Sequence, residues 1–236
     1  MKLFGRIELI DLALYSDNML VMSDFHIGYE EALNKQGIFV PRFQFREIMK
    51  RLEGVFSKLK GRKIESIVIL GDLKHEFGTI SDQEWRHTLQ LLDYFSTKAK
   101  EVILIKGNHD TILGPIANKR NVKVVVHHAN GKVLCLHGDK LPSKEQLKNV
   151  STIITGHEHP AISIKDGARA ELFKCFLAGK WKGKDLIVVP SFNLVAEGTD
   201  IMKEKKLSPF LKGDIGKFRA IVAADKMYDF GMLRNL

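Results

Sequence analysis

Five short polar motifs in this chain each follow a run of aliphatic residues. Such runs form buried strands, and a polar motif placed directly after one lies at an edge of the sheet. In chain order the motifs are Asp24-Phe25-His26, Gly71-Asp72, Gly107-Asn108-His109-Asp110, His137-Gly138-Asp139 and Gly156-His157-Glu158-His159. The pattern predicts a fold in which strand ends gather Asp, Asn and His side chains at one place.

Strand-like and helical segments alternate in the first half of the chain, and short strands joined by glycine turns follow in the second. Helices are predicted over Arg42–Lys60 and from the capping box at Ser81 to Lys98. Gly198–Gly216 is predicted to be a surface loop with a short helix and the most mobile part of the protein. Predicted strands are Arg6–Tyr15, Met19–Ser23, Ile64–Leu70, Glu101–Ile105, Val122–Val126, Lys132–Leu136, Thr152–Thr155, Ala161–Lys165, Glu171–Leu177, Asp185–Val189 and Phe218–Ala224. We expect an α/β (α+β) protein with two packed mixed β-sheets flanked by helices, in a single domain over residues 1–236.

The motifs supply a set of oxygen and nitrogen ligands without thiolate, which suits Mn²⁺, Fe²⁺ or Zn²⁺. The candidate ligands are Asp24, His26, Asp72, Asn108, His137, His157 and His159. In Asp24-x-His26 and His157-x-His159 the spacing of two would place both side chains on one face of an extended strand. Asp72 follows the most apolar strand and is the best candidate to bridge two ions, which would hold a hydroxide and the oxygens of a phosphate ester in line.

His109 is a candidate for catalysis rather than for metal binding. It follows Asn108 directly, so it could stand over a leaving group as a general acid or a phosphate clamp. Asp110 could accept a hydrogen bond from its ring and fix its tautomer.

The order and spelling of the five motifs closely resemble the calcineurin-like metallophosphoesterase superfamily, from Asp24 to His159. The resemblance implies a double β-sandwich with two metals at one sheet edge. It implies that Asp24, His26 and His159 hold one metal, that Asn108, His137 and His157 hold the other, that Asp72 bridges them, and that His109 is catalytic and paired with Asp110. Archaeal phosphoesterases related to SbcD nucleases and bacterial endonucleases associated with a DNA ligase and helicase look most similar. About 77 residues follow His159, which leaves little room for a DNA-capping domain.

The role of several other residues is left open between two interpretations. His75 is either at the mouth of the site or a solvated loop residue, and His127 or His128 could rival His137 as a ligand. The tip Lys180-Trp181-Lys182 is either a base-stacking contact or a turn whose tryptophan folds back on the sheet. His87, Arg42 and Arg46 read as structural or solvent-facing, and Phe25 as a core residue.

Composition bears on the partner and the compartment. The formal net charge of +9 and pI of about 9.4 favour a phosphate-bearing partner, although a lysine-rich surface is also typical of a thermostable protein. Cys135 and Cys175 lack metal or redox spacing and are interpreted as buried free thiols. We expect a cytoplasmic protein with no membrane contact, because no apolar run or signal peptide is evident. The base rate of symmetric assemblies favours a homodimer.

These observations predict a phosphodiesterase that depends on two metal ions, preferably Mn²⁺, and acts as a nuclease on single-stranded or flapped DNA. The resemblance adds a DNA-repair helicase or ligase as a partner. One alternative is a small-molecule phosphoesterase acting on a cyclic nucleotide, a nucleotide or a phosphomonoester, since the same ligands serve both. A non-catalytic scaffold is disfavoured, because such a protein has no need of a complete ligand set.

Overall fold

The first sheet carries its strands in the order of the sequence. The structure is a computed structural model that describes residues 1–76, 81–110, 120, 122–167 and 169–236. Among these residues, seven strands form this sheet: β1 Lys2–Leu3, β2 Ile7–Ile10, β3 Ala13–Ser16, β4 Met19–Met22, β5 Ser66–Ile69, β6 Glu101–Ile105 and β7 Lys123–Val125. Strands β1 to β4 pair antiparallel and β4 to β7 pair parallel, so β4, β5, β6 and β7 all end at the same edge.

The described α-helices are α1 Tyr29–Lys35, α2 Gln44–Lys58 and α3 Asp82–Ser96. Helices α2 and α3 pack into the core of this sheet through apolar stripes. Helix α2 buries Ile48, Leu52 and Val55 at helical spacing, and these join the same core as the strands. The Ser81 N-cap of α3 is confirmed, because its hydroxyl accepts the Glu84 N–H at 3.1 Å. The second half of the predicted capping box is wrong, because the Glu84 carboxylate accepts the N–H groups of His75 and Glu76 instead. Helix α1 was not predicted.

The second sheet holds the remaining strands of the described chain. They are β8 His127–Asn130, β9 Val133–Leu136, β10 Thr152–Thr155, β11 Pro160–Asp166, β12 Arg169–Trp181, β13 Lys184–Val188, β14 Thr199–Asp200, β15 Arg219–Ala223 and β16 Met227–Met232. The main path runs β14-β11-β12-β13-β10-β9-β8, with β15 paired to β12 and β16 to β15. Strands β9, β10 and β13 are parallel neighbours and end together.

Alternating side chains of the second sheet build two cores. On β10, Ile154 belongs to the core shared with the first sheet, whereas its neighbour Ile153 belongs to a separate cluster on the opposite face with Phe210. The shared core joins side chains of both sheets, such as Val21 and Ile187. The predicted pair of packed mixed sheets with flanking helices is therefore confirmed.

Three local expectations have clear outcomes. The single strand over Arg6–Tyr15 is wrong, because a turn with Asp11 at φ 58° separates β2 from β3. The short helix predicted within Gly198–Gly216 is confirmed as a 3₁₀ helix over Pro209–Leu211. The surface-loop part of that prediction is wrong, since the segment also contains β14 and buries residues such as Phe210. Cys135 and Cys175 are buried and free, as expected. None of the described helices is long and apolar enough to cross a membrane.

Candidate metal centre

The polar motifs converge because strands of both sheets end beside one another. Backbone hydrogen bonds continue past the strand ends and join the motifs in pairs. The Asp24 N–H donates to the Gly71 carbonyl at 3.2 Å in the first sheet, and the Gly156 N–H donates to the His137 carbonyl at 2.8 Å in the second. Bridging the sheets, the His157 N–H donates to Asp24 Oδ2 at 2.9 Å.

Most of the candidate ligands lie in left-handed backbone conformation. The φ angles are 53° at Asp24, 46° at His26, 48° at Asp72, 68° at His157 and 52° at His159. A residue with a Cβ pays about 1–2 kcal/mol for this region, so it persists only where the surroundings enforce it. The expectation that Asp24-x-His26 and His157-x-His159 share a face of an extended strand is therefore wrong. Turns beyond the strand ends bring Asp24 and His26 into one donor group, and they place His157 and His159 in two different groups.

One group of donors consists of Asp24, His26 and His159, with one ligand atom of each within 4.8 Å of the others. His159 Nε2 lies 3.3 Å from His26 Nε2 and 3.4 Å from Asp24 Oδ1. Asp24 is buried, and its Oδ2 accepts hydrogen bonds from the His157 N–H and the Ser23 hydroxyl. Its Oδ1 has no hydrogen-bond partner among the described residues.

A second group consists of Asp72, His137 and His157, and Asn108 adjoins it. His137 Nε2 lies 3.0 Å from Asn108 Oδ1, 3.1 Å from His157 Nδ1 and 3.5 Å from Asp72 Oδ2. The other nitrogen of His137, Nδ1, lies 2.7 Å from the Leu70 carbonyl oxygen. A carbonyl only accepts, so Nδ1 carries a proton, and Nε2 faces the group.

Asp72 lies between the two groups. Its Oδ2 is 3.5 Å from His137 Nε2 on one side and 3.9 Å from His26 Nε2 on the other. Its Oδ1 accepts the His109 N–H at 2.8 Å, which fixes the orientation of the carboxylate. A single carboxylate thus faces both donor groups.

Electrostatics make the two groups suited to a cation. Burial, reinforced by the charge of Asp24 and opposed by His137, raises the pKa of Asp72 to about 6. Burial and the charge of His137 lower the pKa of His157 to about 4, and burial with His159 holds the pKa of His26 well below its usual value. These imidazoles are therefore neutral and offer lone pairs.

The electrostatic surroundings of Asp24 also favour binding of a cation. Burial opposes ionisation of Asp24, but the histidines His159, His137 and His26 outweigh it and hold its pKa well below the ordinary value. Asp24 Oδ1 is buried and has no hydrogen-bond partner among the described residues, so this carboxylate oxygen is open to a cation. The donor set therefore fits divalent metal ions.

Close packing of the motifs requires glycine at Gly156. A Cβ there would lie 1.7 Å from Ser23 Oγ and 2.6 Å from Asp24 Oδ2. The backbone after β10 can approach the Asp24 carboxylate only because no side chain intervenes.

A family model described as calcineurin-like phosphoesterase matches residues 18–161, which include all five motifs. The chain belongs to this family. It is accordingly a metal-dependent phosphoesterase, a hydrolase of phosphate esters. No curated protein matches the sequence significantly.

Among solved structures, the fold of this phosphoesterase is similar to that of the nuclease MPE of Pseudomonas putida. The two share 19% identity over 98% of each chain, with a TM-score of 0.67. Wild-type Vps29 of Entamoeba histolytica, solved with zinc, covers 90% of this chain and 99% of its own at 17% identity, with a TM-score of 0.37. A protein of unknown function from Aquifex aeolicus shares 21% identity over 60% of this chain and 78% of its own, with a TM-score of 0.39.

His109 lies at the centre, but its ring is oriented differently from the expectation. His109 Nδ1 is 2.7 Å from the carbonyl oxygen of His75. Asp110 is buried and accepts the Leu73 N–H at 3.1 Å and the Gly107 N–H at 3.0 Å through its two oxygens. The expectation that Asp110 fixes the tautomer of His109 is therefore wrong: the His75 carbonyl does so, and Asp110 holds the turn that carries the motif.

His75 is the neighbour that sequence reasoning left undecided. Its Nδ1 lies 3.3 Å from His26 Nδ1, and His26, His75 and His109 form a third cluster whose ring nitrogens lie within 4.8 Å of one another. Burial lowers the pKa of His75 to about 4. The signal was its position three residues after Asp72, and the structure places it at the site.

The rival candidates lie elsewhere. His127 is exposed on β8, where its Nδ1 contacts the Gln146 amide at 2.9 Å, so His137 is the histidine that meets the other donors. His87 stacks on Phe45 with ring centroids 4.2 Å apart, as a structural residue would. Trp181 packs on Phe210 at 4.9 Å, which favours the interpretation that the tryptophan folds back on the sheet.

Proposed function

We propose that this phosphoesterase binds two divalent ions and hydrolyses phosphodiester bonds of nucleic acid. One ion would be held by Asp24, His26 and His159, and the other by Asn108, His137 and His157, with Asp72 shared between them. The observation that carries the proposal is the position of Asp72, whose Oδ2 lies within 3.9 Å of a histidine nitrogen in each donor group. Mn²⁺ is the proposed ion, because carboxylate, amide and imidazole donors together suit it.

Metal ions bound at such a centre polarise the phosphate and activate a water for attack. Neighbouring side-chain and backbone groups of the protein hold three of the proposed ligands in position. The Ser23 hydroxyl and the His157 N–H orient Asp24, the His109 N–H orients Asp72, and the Leu70 carbonyl holds the ring of His137. These three proposed ligands are therefore positioned before any ion binds, which favours affinity.

His109 is proposed to act on the leaving group. Its Nδ1 lies 2.7 Å from the His75 carbonyl oxygen, and Nε2 is the nitrogen that we propose to contact substrate. Burial lowers the pKa of His109, so it is neutral in the free protein at pH 7. A bound phosphate would favour the protonated ring, because an opposite charge nearby stabilises the charged form. The protonated ring could then donate to the departing oxygen.

Single-stranded or flapped DNA is the proposed substrate. A formal net charge of +9 raises the local concentration of a polyanion. The resemblance to SbcD-related phosphoesterases and ligase-associated endonucleases supports the same class, and the Pseudomonas putida protein that shares the fold is a nuclease. A repair helicase or ligase as partner, and a homodimer, stay predictions.

The test combines metal dependence with a panel of substrates. Metal-stripped protein is assayed with Mn²⁺, Fe²⁺ or Zn²⁺ on single-stranded, duplex and flapped DNA, on RNA, and on p-nitrophenyl phosphate, bis(p-nitrophenyl) phosphate and cyclic nucleotides. We expect Mn²⁺-dependent cleavage of single-stranded DNA, lost in Asp72→Asn and His109→Ala. His127→Ala is the matched control, because His127 is an exposed histidine on β8. Metal-loaded protein that hydrolyses small esters but leaves all DNA and RNA intact would refute the proposal and favour a small-molecule phosphoesterase.

A further inference from the structure

A cleft opens beside the second donor group. Its volume is about 520 Å³, and Asn108 and His137 lie in its wall. The segment after β9 forms one side through Leu141, and the connection between β7 and β8 forms the other through Val126. Whatever occupies the cleft is therefore next to the proposed reaction centre.

The rim of the cleft is apolar and unusually exposed. Val126 is 72% exposed and Leu141 is 47% exposed, although both are large aliphatic residues. Isolated exposed apolar residues are common, but two that face one cleft form a small surface for a flat apolar group. A nucleobase has such a face.

The cleft also presents cations. Lys106 and Lys140 line it, and both are exposed. Asp139 is the acidic side chain of the lining, and its carboxylate lies 3.9 Å from Lys140 Nζ. Lys106 forms no ion pair among the described residues of the chain, so its charge is available to a ligand. The balance of one carboxylate against two ammonium groups favours an anion.

We propose that this cleft binds the nucleotide adjacent to the scissile phosphodiester of a single-stranded nucleic acid. Lys106 and Lys140 contact the phosphate of that nucleotide, and its base lies against Val126 and Leu141. A base can enter only when it is unstacked and unpaired, so the cleft selects single strands over duplex. The inference rests on the proposed nuclease function and adds a subsite to it.

The test compares kcat/KM for a short single-stranded DNA oligonucleotide with kcat/KM for bis(p-nitrophenyl) phosphate, which has no neighbouring nucleotide. We expect Lys106→Ala/Lys140→Ala to lower the ratio of the two values by about tenfold, since two phosphate contacts are lost. Val126→Ser/Leu141→Ser removes the apolar rim and should lower the ratio through KM for the oligonucleotide. These side chains are exposed, so the fold should tolerate their loss.

Lys60→Ala/Lys100→Ala is the matched control. It removes the same charge from exposed lysines that precede β5 and β6, at the opposite edge of the first sheet, and should keep the ratio. An unchanged ratio in both cleft variants, or an equal fall in the control, would overturn the subsite while leaving the nuclease function intact. Wild-type protein that hydrolyses the small ester but no nucleic acid would overturn both.

Discussion

Replacing Asp24 by Asn should abolish binding of the ion that we assign to Asp24, His26 and His159, while leaving the volume of the side chain nearly unchanged. Asp24 Oδ2 accepts the His157 N–H at 2.9 Å, and Oδ1 has no partner among the described residues although it is buried. An asparagine that kept the bond to the His157 N–H would place its NH₂ group where Oδ1 stands. An amide NH₂ cannot coordinate a cation, and the lost negative charge weakens the site further.

The magnitude follows from linkage between binding and folding. A ligand at a hundredfold excess over its Kd stabilises the folded state by about 2.7 kcal/mol. For a chain of 236 residues, each kcal/mol raises Tm by about 2–4 °C, so each bound Mn²⁺ ion should raise the Tm of the wild type by about 5–10 °C. In Asp24→Asn the part of this rise that comes from the ion held by Asp24, His26 and His159 should be lost, so the Mn²⁺-dependent rise should fall by about half.

The assay is thermal unfolding of metal-stripped protein with and without Mn²⁺. Asp200→Asn is the matched control, because Asp200 is also a buried carboxylate, and it accepts the Met202 N–H at 3.0 Å outside the donor groups. The control should have a lower Tm but keep the full response to Mn²⁺. An Asp24→Asn protein that responds to Mn²⁺ as the wild type does would refute the role assigned to Asp24.

Three further changes test separate parts of the account. His109→Ala should lower the rate of DNA cleavage by about 10²–10⁴-fold and keep the rise of Tm with Mn²⁺. Cleavage assays quenched at fixed times and thermal unfolding would measure the two effects. Loss of both activity and the Tm response would indicate that His109 is a metal ligand. Gly156→Ala should lower Tm by several degrees, because its Cβ would overlap Ser23 Oγ, and an unchanged Tm would contradict the close approach. Burial lowers the pKa of Lys174, whose Nζ donates to Ser191 Oγ at 2.6 Å, to about 7. The unfolded chain therefore binds more protons than the folded protein between about pH 7 and pH 10.5, and the free energy of unfolding should rise across that window by about 3–5 kcal/mol. Urea unfolding of Lys174→Met should show no such rise. A rise that survives in this variant would contradict the burial of the lysine.

The sequence predicted that the candidate ligands converge because they follow buried strands. Asp72 and Asn108 come three residues after the ends of β5 and β6, and His137 and His157 come one and two residues after those of β9 and β10. Parallel neighbouring strands end at the same edge, so strand pattern and motif position together predict convergence. The two-sheet architecture was predictable for the same reason.

The conformation of the site was not predictable from periodicity. Five candidate ligands, among them Asp24 and His159, have positive φ angles, which a pattern of strands and helices does not specify. The backbone carbonyl of His75 orients the ring of His109, and the two residues are 34 positions apart in the sequence. Every residue has a backbone carbonyl, so a sequence motif does not indicate which one contacts His109.

The sequence predicted the short helix in the segment after Gly198 but not the burial of that segment. Its many lysines indicate a surface loop, yet Ser208 is buried, where its N–H donates to Glu158 Oε2 at 2.6 Å. This contact joins the segment to the last of the five polar motifs. A single buried serine within a charged stretch gives no periodic signal, so a contact of this kind is seen only in the three-dimensional structure.

Anomalous diffraction from crystals soaked in Mn²⁺ tests the central claim most directly. We expect two anomalous peaks per chain, one among Asp24, His26 and His159 and one beside Asn108 and His137, with Asp72 between them. Their positions do not depend on any choice of substrate. A single peak, or peaks that lie away from Asp72, would contradict the two-ion centre.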